Sequence, residues 1–378
     1  MTKNRMGGPK DSQFIGQDEE GLMRNDDHPD QQKLDQYLAE ARENNTRIAT
    51  AQAVKHYRKV YKGPIPCTAH DLALYLSHFG EKLKVATLEQ RRSLIGQWHE
   101  RNYGINPNNS RVVTETMRAI RKMHNEPQGK ANALPLDTLE RTVNFLSEKR
   151  NCTECEKDRQ WRRYSRDRAM LLSAFWFGLR GSELVNIRLS HLKFNWQIDP
   201  PTLTLMVPTS KGDRNSVGRE TTLEAMPKNC PIHAISDWLE DRFDGLDPSS
   251  ESLKSQYVFS KVDRWGAVWS EGLRSNSINK ILDRVFKEAG QNGVPISEHF
   301  SSHSMRRGIA NWVMNNGASW SELMDWVGWK DVRSARKYVN SKKSLPTLLM
   351  ARNQAQNQQA SIGKPTEQNL EGGGSQND

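Results

Sequence analysis

Long hydrophobic runs are missing from this sequence. No apolar stretch approaches the roughly 20 residues that a membrane-spanning helix needs. Hydrophobic residues make up only 35% of the 378, and the mean hydropathy is -0.82, so a soluble chain is expected. The start, Met1-Thr2-Lys3, leads into polar sequence with no signal-peptide core, which makes the cytoplasm the expected compartment. Cysteine is scarce as well. The four present, Cys67, Cys152, Cys155 and Cys230, are too few and scattered for a disulfide scaffold and suit a reducing environment. Cys152-x-x-Cys155 and Cys230-x-x-His233 do carry the ligand types of a structural zinc site. Their halves lie far apart, however, and Cys230-Pro231 reads more simply as the start of a helix bearing Ile232, Ile235, Trp238 and Leu239. Reduced thiols are the plainer reading, and zinc stays open on sequence alone. Negative charge is also in deficit: 45 Asp and Glu face 55 Lys and Arg, a formal charge of +10 with pI near 9.4. A polyanion is the natural partner of such a chain, and nucleic acid is the commonest one.

No internal repeat is visible. Residues 1–30 are rich in Gly, Asp, Asn, Gln and Lys, and residues 351–378 in Gln, Asn and Gly, so both ends read as disordered tails. Between them, residues 45–126 read as a helical domain. Thr68-x-x-Asp71 resembles a capping box and opens a helix with Leu72, Leu76, Phe79 and Leu83 on one face. Leu88, Ile95 and Trp98 mark a second helix, closed by Tyr103-Gly104. After Asn106-Pro107 a third places Val113, Met117, Ile120 and His124 inward, with Arg111, Arg118, Arg121 and Lys122 outward. That basic face is a candidate DNA-backbone contact, against the plainer reading of a solvated helix surface.

The Pro and Gly of Glu126-Pro127-Gln128-Gly129-Lys130 suggest a linker, and residues 134–350 a second domain. Its first helix is expected near Asp137-x-x-Glu140, and the basic stretch Arg159 through Arg168 leads into an apolar helix around Met170 to Phe177. The clearest β pattern runs over Leu203 to Pro208, turns around Lys211-Gly212-Asp213-Arg214 and returns through Thr221-Thr222-Leu223. Helices are then expected at Ile232 to Leu239, Ile278 to Phe286, Ser304 to Met314, Ser319 to Val327 and Val332 to Val339. Gly317 and Gly328 sit where helix ends favour positive φ, with the capping pattern Ser319-x-x-Glu322 between them. The fold class is mainly α with a small antiparallel β-sheet (α+β).

Two guanidiniums, an imidazole, an indole and a phenol recur in a suggestive order: Arg180 in Gly178-Leu179-Arg180-Gly181-Ser182-Glu183, His303-x-x-Arg306, Gly328-Trp329 and Tyr338. Two arginines can neutralise the charge building on a pentavalent phosphorus, and a tyrosine can attack it covalently. The strings Leu179-Arg180-Gly181-Ser182-Glu183-Leu184, Ser302-His303-Ser304-Met305-Arg306-Arg307 and Val327-Gly328-Trp329 with Tyr338 following resemble the tyrosine recombinase (phage integrase) family. The resemblance covers roughly residues 45 to 345. It implies a helical core-binding domain followed by a tyrosine recombinase catalytic domain.

The resemblance further implies a site-specific recombinase acting on double-stranded DNA as a homotetramer, without cofactor, metal or membrane, through a Holliday junction and for a mobile element. Tyr338 would form a 3′-phosphotyrosyl intermediate, Arg180 and Arg306 would hold the non-bridging oxygens, and His303 would assist proton transfer. Lys211 would protonate the leaving 5′-oxygen. Trp329 stands where many members carry His, keeping an N–H donor but removing an acid-base group. Glu183 would orient the active-site groups, although a solvated or capping Glu fits the sequence equally. Two other functions share much of the pattern: a type IB topoisomerase-like enzyme that relaxes supercoils, and a DNA-binding accessory protein without catalysis.

Overall fold

The computed structural model describes residues 30, 32–33, 44–124, 126, 131–152, 160–208, 218–244 and 250–339. The expected tails, Cys155, Lys211 and the segment after Tyr338 that holds Leu345 to Met350 lie outside the described residues. The chain divides into two compact units, Met1–Gly129 and Lys130–Asp378.

The first unit is helical: α1 (Asn44–Lys55), a wide turn at His56–Tyr61, α2 (Ala69–Phe79), α3 (Val85–Tyr103) and α4 (Arg111–His124). Thr68 and Asp71 form the reciprocal capping box of α2, and Gly104, at φ 73°, ends α3. Leu72, Leu76, Leu88, Ile95, Val113 and Met117 fill the core, where Tyr57 and Tyr75 meet edge to face at 5.4 Å. Leu83 lies past the end of α2, partly buried against this core, and Trp98 and His124 are half-buried. His99 is a buried joint: its Nε2 accepts from Cys67 N at 2.9 Å, so Nδ1 carries the proton and donates to Ile105 O at 2.7 Å.

The second unit begins with α5 (Leu136–Arg150) and α6 (Trp161–Trp176), followed by the short α7 (Gly181–Val185). Part of the basic stretch before Met170 therefore belongs to α6 itself. Arg166 and Asp167 are buried there as an ion pair, and Asp167 also binds Arg284. Three strands, β1 (Leu192–Asn195), β2 (Thr202–Val207) and β3 (Arg219–Glu224), form an antiparallel sheet in that order, with Val207 opposite Arg219. Leu203, Leu205 and Val207 alternate inward along β2. Next come α8 (Pro231–Phe243), a second small hairpin of β4 (Ser260–Val262) and β5 (Val268–Gly272), and α9 (Ser275–Gln291). The chain closes with α10 (Ser302–Asn315), α11 (Trp320–Val327) and α12 (Val332–Arg336). Gly308 of α10 faces the Leu134 carbonyl so closely that no Cβ fits, and Leu134 N donates to Ser304 O at 3.0 Å.

Helix α12 is shorter than its sequence suggests, and Tyr338 lies beyond it in a turn. The helix tightens at its end: Lys337 N and Tyr338 N donate three residues back, to Ser334 O at 3.3 Å and Ala335 O at 2.9 Å. Side chains of α10 take up the next carbonyls. Arg307 Nη1 donates to Lys337 O at 2.6 Å and Asn311 Nδ2 to Tyr338 O at 3.0 Å.

Candidate active site

Four elements deliver the candidate residues to one place. Helix α6 ends at Trp176 with Phe177 as its cap, and Gly178, at φ 58°, turns the chain so that Leu179 is buried and Arg180 caps α7. Glu183, one turn into α7, accepts from Arg180 N at 2.9 Å and pairs with the Arg180 guanidinium. It also lies 3.5 Å from Arg306 Nη1, so one buried carboxylate bridges the two arginines.

Arg306 is fully buried on α10. Its Nη1 donates to Gly178 O and its Nη2 to Val327 O at 3.0 Å, which ties the end of α6 to the end of α11. Burial first, then the neighbouring Arg180 cation, pushes the Arg306 guanidinium down to about 9, with Glu183 acting in the opposite sense. The pocket therefore holds more positive charge than its one bridging carboxylate balances, a situation that an incoming anion relieves.

Helix α11 is stopped by Gly328 at φ 71°, and the next residue, Trp329, is buried with its ring 5.0 Å from the Arg306 guanidinium. The Tyr338 ring packs 5.0 Å from Trp329 and 6.3 Å from His303, with Arg306 at 6.0 Å. His303 is exposed in the first turn of α10, where Ser302 N donates to Asn279 Oδ1 at 3.0 Å. Arg180, Glu183, His303, Arg306, Trp329 and Tyr338, which span more than 150 positions of sequence, thus share one neighbourhood. A cleft of about 230 Å³ opens here, lined by Arg180, Glu183, Arg219, Gly328, Trp329 and Lys330.

Lys211 lies outside the described residues, in the β2–β3 connection, whose two ends, Val207 and Gly218, line the same cleft. Three further residues were given no role from the sequence, although Arg307 ends the string that begins at Ser302. Arg219 reaches the cleft from the first position of β3, and Arg307 and Asn311 hold the Tyr338 turn. Each acts on backbone carbonyls distant in sequence, so only a helix position, three and seven residues from Ser304, could have drawn attention to the last two.

The remaining candidates divide. On α4, Arg111, Arg118, Arg121 and Lys122 are all exposed, but Arg111 pairs with Glu115 and Arg121 with Glu89. Cys230 is buried before α8, and His233 is exposed with its ring stacked on Trp196. Among the described residues no group of three or more His, Cys, Asp or Glu could hold a metal ion. No helix among them is long and apolar enough to cross a membrane.

No curated protein matches the sequence. Among solved structures, the fold is similar to the Tn1549 transposon integrase in complex with transposon right end DNA, with TM-score 0.54 and 14% identity over 84% of this chain and 94% of that one. It is also similar to a lambda integrase dimer bound to a COC′ core site, with TM-score 0.50 and 15% identity over 82% and 94%. At such identities the likeness is one of fold. The model of the phage integrase family matches residues 152–344, over half of the sequence and the whole stretch from Arg180 to Tyr338. The chain belongs to the phage integrase family and is a tyrosine-type site-specific DNA recombinase.

Proposed function

We propose that this recombinase cuts and rejoins double-stranded DNA target sites through a 3′-phosphotyrosyl intermediate at Tyr338 and a Holliday junction, on behalf of a mobile element. The observation that carries the reading is the Arg180–Glu183–Arg306 bridge set against the Trp329–Tyr338 ring pair. Arg180 and Arg306 hold the two non-bridging oxygens of the scissile phosphate, and Trp329 offers its indole N–H to the same group. The Tyr338 hydroxyl oxygen attacks phosphorus as His303 assists removal of its proton. A P–O bond to tyrosine forms and the P–O5′ bond breaks. Lys211 gives the leaving 5′-oxygen its proton.

The phosphodiester energy is kept in the tyrosyl ester, so rejoining is the same step in reverse with the 5′-hydroxyl of another strand. Glu183 orients both guanidiniums and stops them repelling each other in the empty site. The α4 cations, above all Arg118 and Lys122, fit a contact with the phosphate backbone. The reaction takes place in the cytoplasm.

A suicide duplex, nicked so that the 5′-product diffuses away, tests the reading. Wild-type protein should accumulate a covalent adduct that survives denaturation and forms equally well in EDTA, while Tyr338→Phe should bind the duplex normally and form none. An adduct on Tyr338→Phe, or one abolished by EDTA, would overturn the assignment. Relaxation of supercoils without strand exchange would identify a topoisomerase-like enzyme, and binding with no adduct an accessory protein.

A further inference from the structure

Arg306 is not the only guanidinium that spans the two corners of the site. Arg219 Nη2 donates to Phe177 O at 3.3 Å and its Nη1 to Trp326 O. Arg306 takes the next residue in each corner, Gly178 O and Val327 O. Two arginines therefore lie as successive rungs between the end of α6 and the end of α11. Trp326 and Val327 close α11, and Phe177 and Gly178 follow directly on α6, so these carbonyls lie at helix C-termini, where intrahelical partners run out and the helix dipole favours a cation.

Three residues beyond the first corner is Arg180, and three beyond the second is Trp329. A change in the spacing of the corners shifts these two groups relative to each other. Gly328 shows how tightly the outer rung is seated: a Cβ there would lie 2.6 Å from Arg219 Cδ and 2.9 Å from its Nε. Arg219 is also the first residue of β3, paired with Val207, so it is the root of the connection that carries Lys211.

We propose that Arg219 is a positioning residue for strand cleavage, fixing Arg180, Trp329 and the base of the Lys211-bearing connection in one frame through the Phe177 and Trp326 carbonyls. The proposal rests on the cleavage reading above. The described hydrogen bonds of Arg219 go to the two corner carbonyls, so it acts through the groups it holds. Its cation adds to the field of Arg180 and Arg306, and burial together with Arg180 lowers its own proton affinity, while Glu183 raises it. Lysine keeps the charge but, as a point donor on a flexible stem, does not span two diverging carbonyls as a planar fork does.

The experiment is single-turnover cleavage of the suicide duplex by the full-length protein, its Arg219→Lys and its Arg219→Ala variants, with duplex affinity measured alongside. Affinity should stay within about threefold of wild type, because many other cations contact the backbone. Adduct formation should slow on the order of 100-fold in Arg219→Ala and about tenfold in Arg219→Lys. Guanidinium ion at low millimolar concentration should restore at least a tenth of the rate to Arg219→Ala and leave Arg219→Lys unchanged.

Wild-type rates in Arg219→Ala would overturn the proposal. So would rate and affinity falling together in both variants with no rescue by guanidinium, the signature of a general loss of structure. A wild-type protein that forms no adduct would instead bring down the functional reading itself.

Discussion

The two arginines of the site differ in what their loss removes. Arg180 is half-buried and bonded mainly to Glu183, so Arg180→Ala should keep the fold and slow cleavage about 100-fold or more with a smaller effect on binding. Arg306 is buried and holds two carbonyls and a carboxylate. Arg306→Ala should therefore lose comparable rate and also about 3 kcal/mol of stability, because Glu183 and the helix ends are left unpaired. Adduct kinetics and urea unfolding of the two variants measured together would check this contrast. Equal stability would show that the buried bridge is not what holds the corners. Glu183 was ambiguous in sequence because a capping glutamate and a bridge between arginines look alike there. It does both, taking Arg180 N with one oxygen and the Arg180 guanidinium with the other. Arg180, His303, Arg306, Trp329 and Tyr338 were legible because each sits in a short string of fixed spacing. Arg219 was not, since its partners are backbone carbonyls more than 40 and 100 positions away.

Most helices were read from their apolar spacing and caps, although α1 and the short α7 were not, and strands were read less well. β1 and the β4–β5 hairpin are three to five residues each, too short for alternation to show against their neighbours. The end of α12 was missed for another reason: its backbone tightens over the last turn and side chains of α10 take the carbonyls that follow, which no local pattern marks. The α2 cap offers a clean test of a local signal. Thr68→Ala should cost about 1 kcal/mol, read from the urea midpoint. Hydrogen bonds from Thr68 hold the Asp71 carboxyl below its ordinary value, so the box contributes stability at neutral pH and loses it as the pH falls through the carboxylate range. The difference between wild type and Thr68→Ala should therefore shrink in acid, and a difference that grew would contradict the capping assignment. At the other end of the chain, Asn311→Ala should free the Tyr338 carbonyl, lowering the adduct rate about tenfold for a stability loss of about 1 kcal/mol. An unchanged rate would show that the turn is held by other contacts.

On the scale of the whole molecule, recombination joins two duplexes by four strand cuts, and we propose a homotetramer on DNA as the active form. In that assembly Leu345, Leu348, Leu349 and Met350, ahead of the polar sequence that begins near Asn353, would meet a neighbouring catalytic domain, the alternative being that they pack on their own. Deleting residues after Ala355 should be nearly silent, whereas deleting from Ser344 should impair synapsis and strand exchange more than binding to a single site. Gel-shift and recombination assays on paired sites distinguish the two, and full recombination by the shorter protein would remove that segment from the interface. Stability is also unevenly spread through the catalytic unit. Behind Tyr338 stands α10, whose residues 304–310 are all buried; the tyrosine itself, its ring against Trp329, sits in a turn whose last two carbonyls are held by Arg307 and Asn311. Two such bonds are worth about 2 kcal/mol together, which lets the turn open on the order of a few per cent of the time while α10 stays shut. Amide deuterium uptake should then be fast at 337–339 and slow along α10, so the nucleophile can leave and re-enter its place beside Trp329 while the helix behind it stays folded.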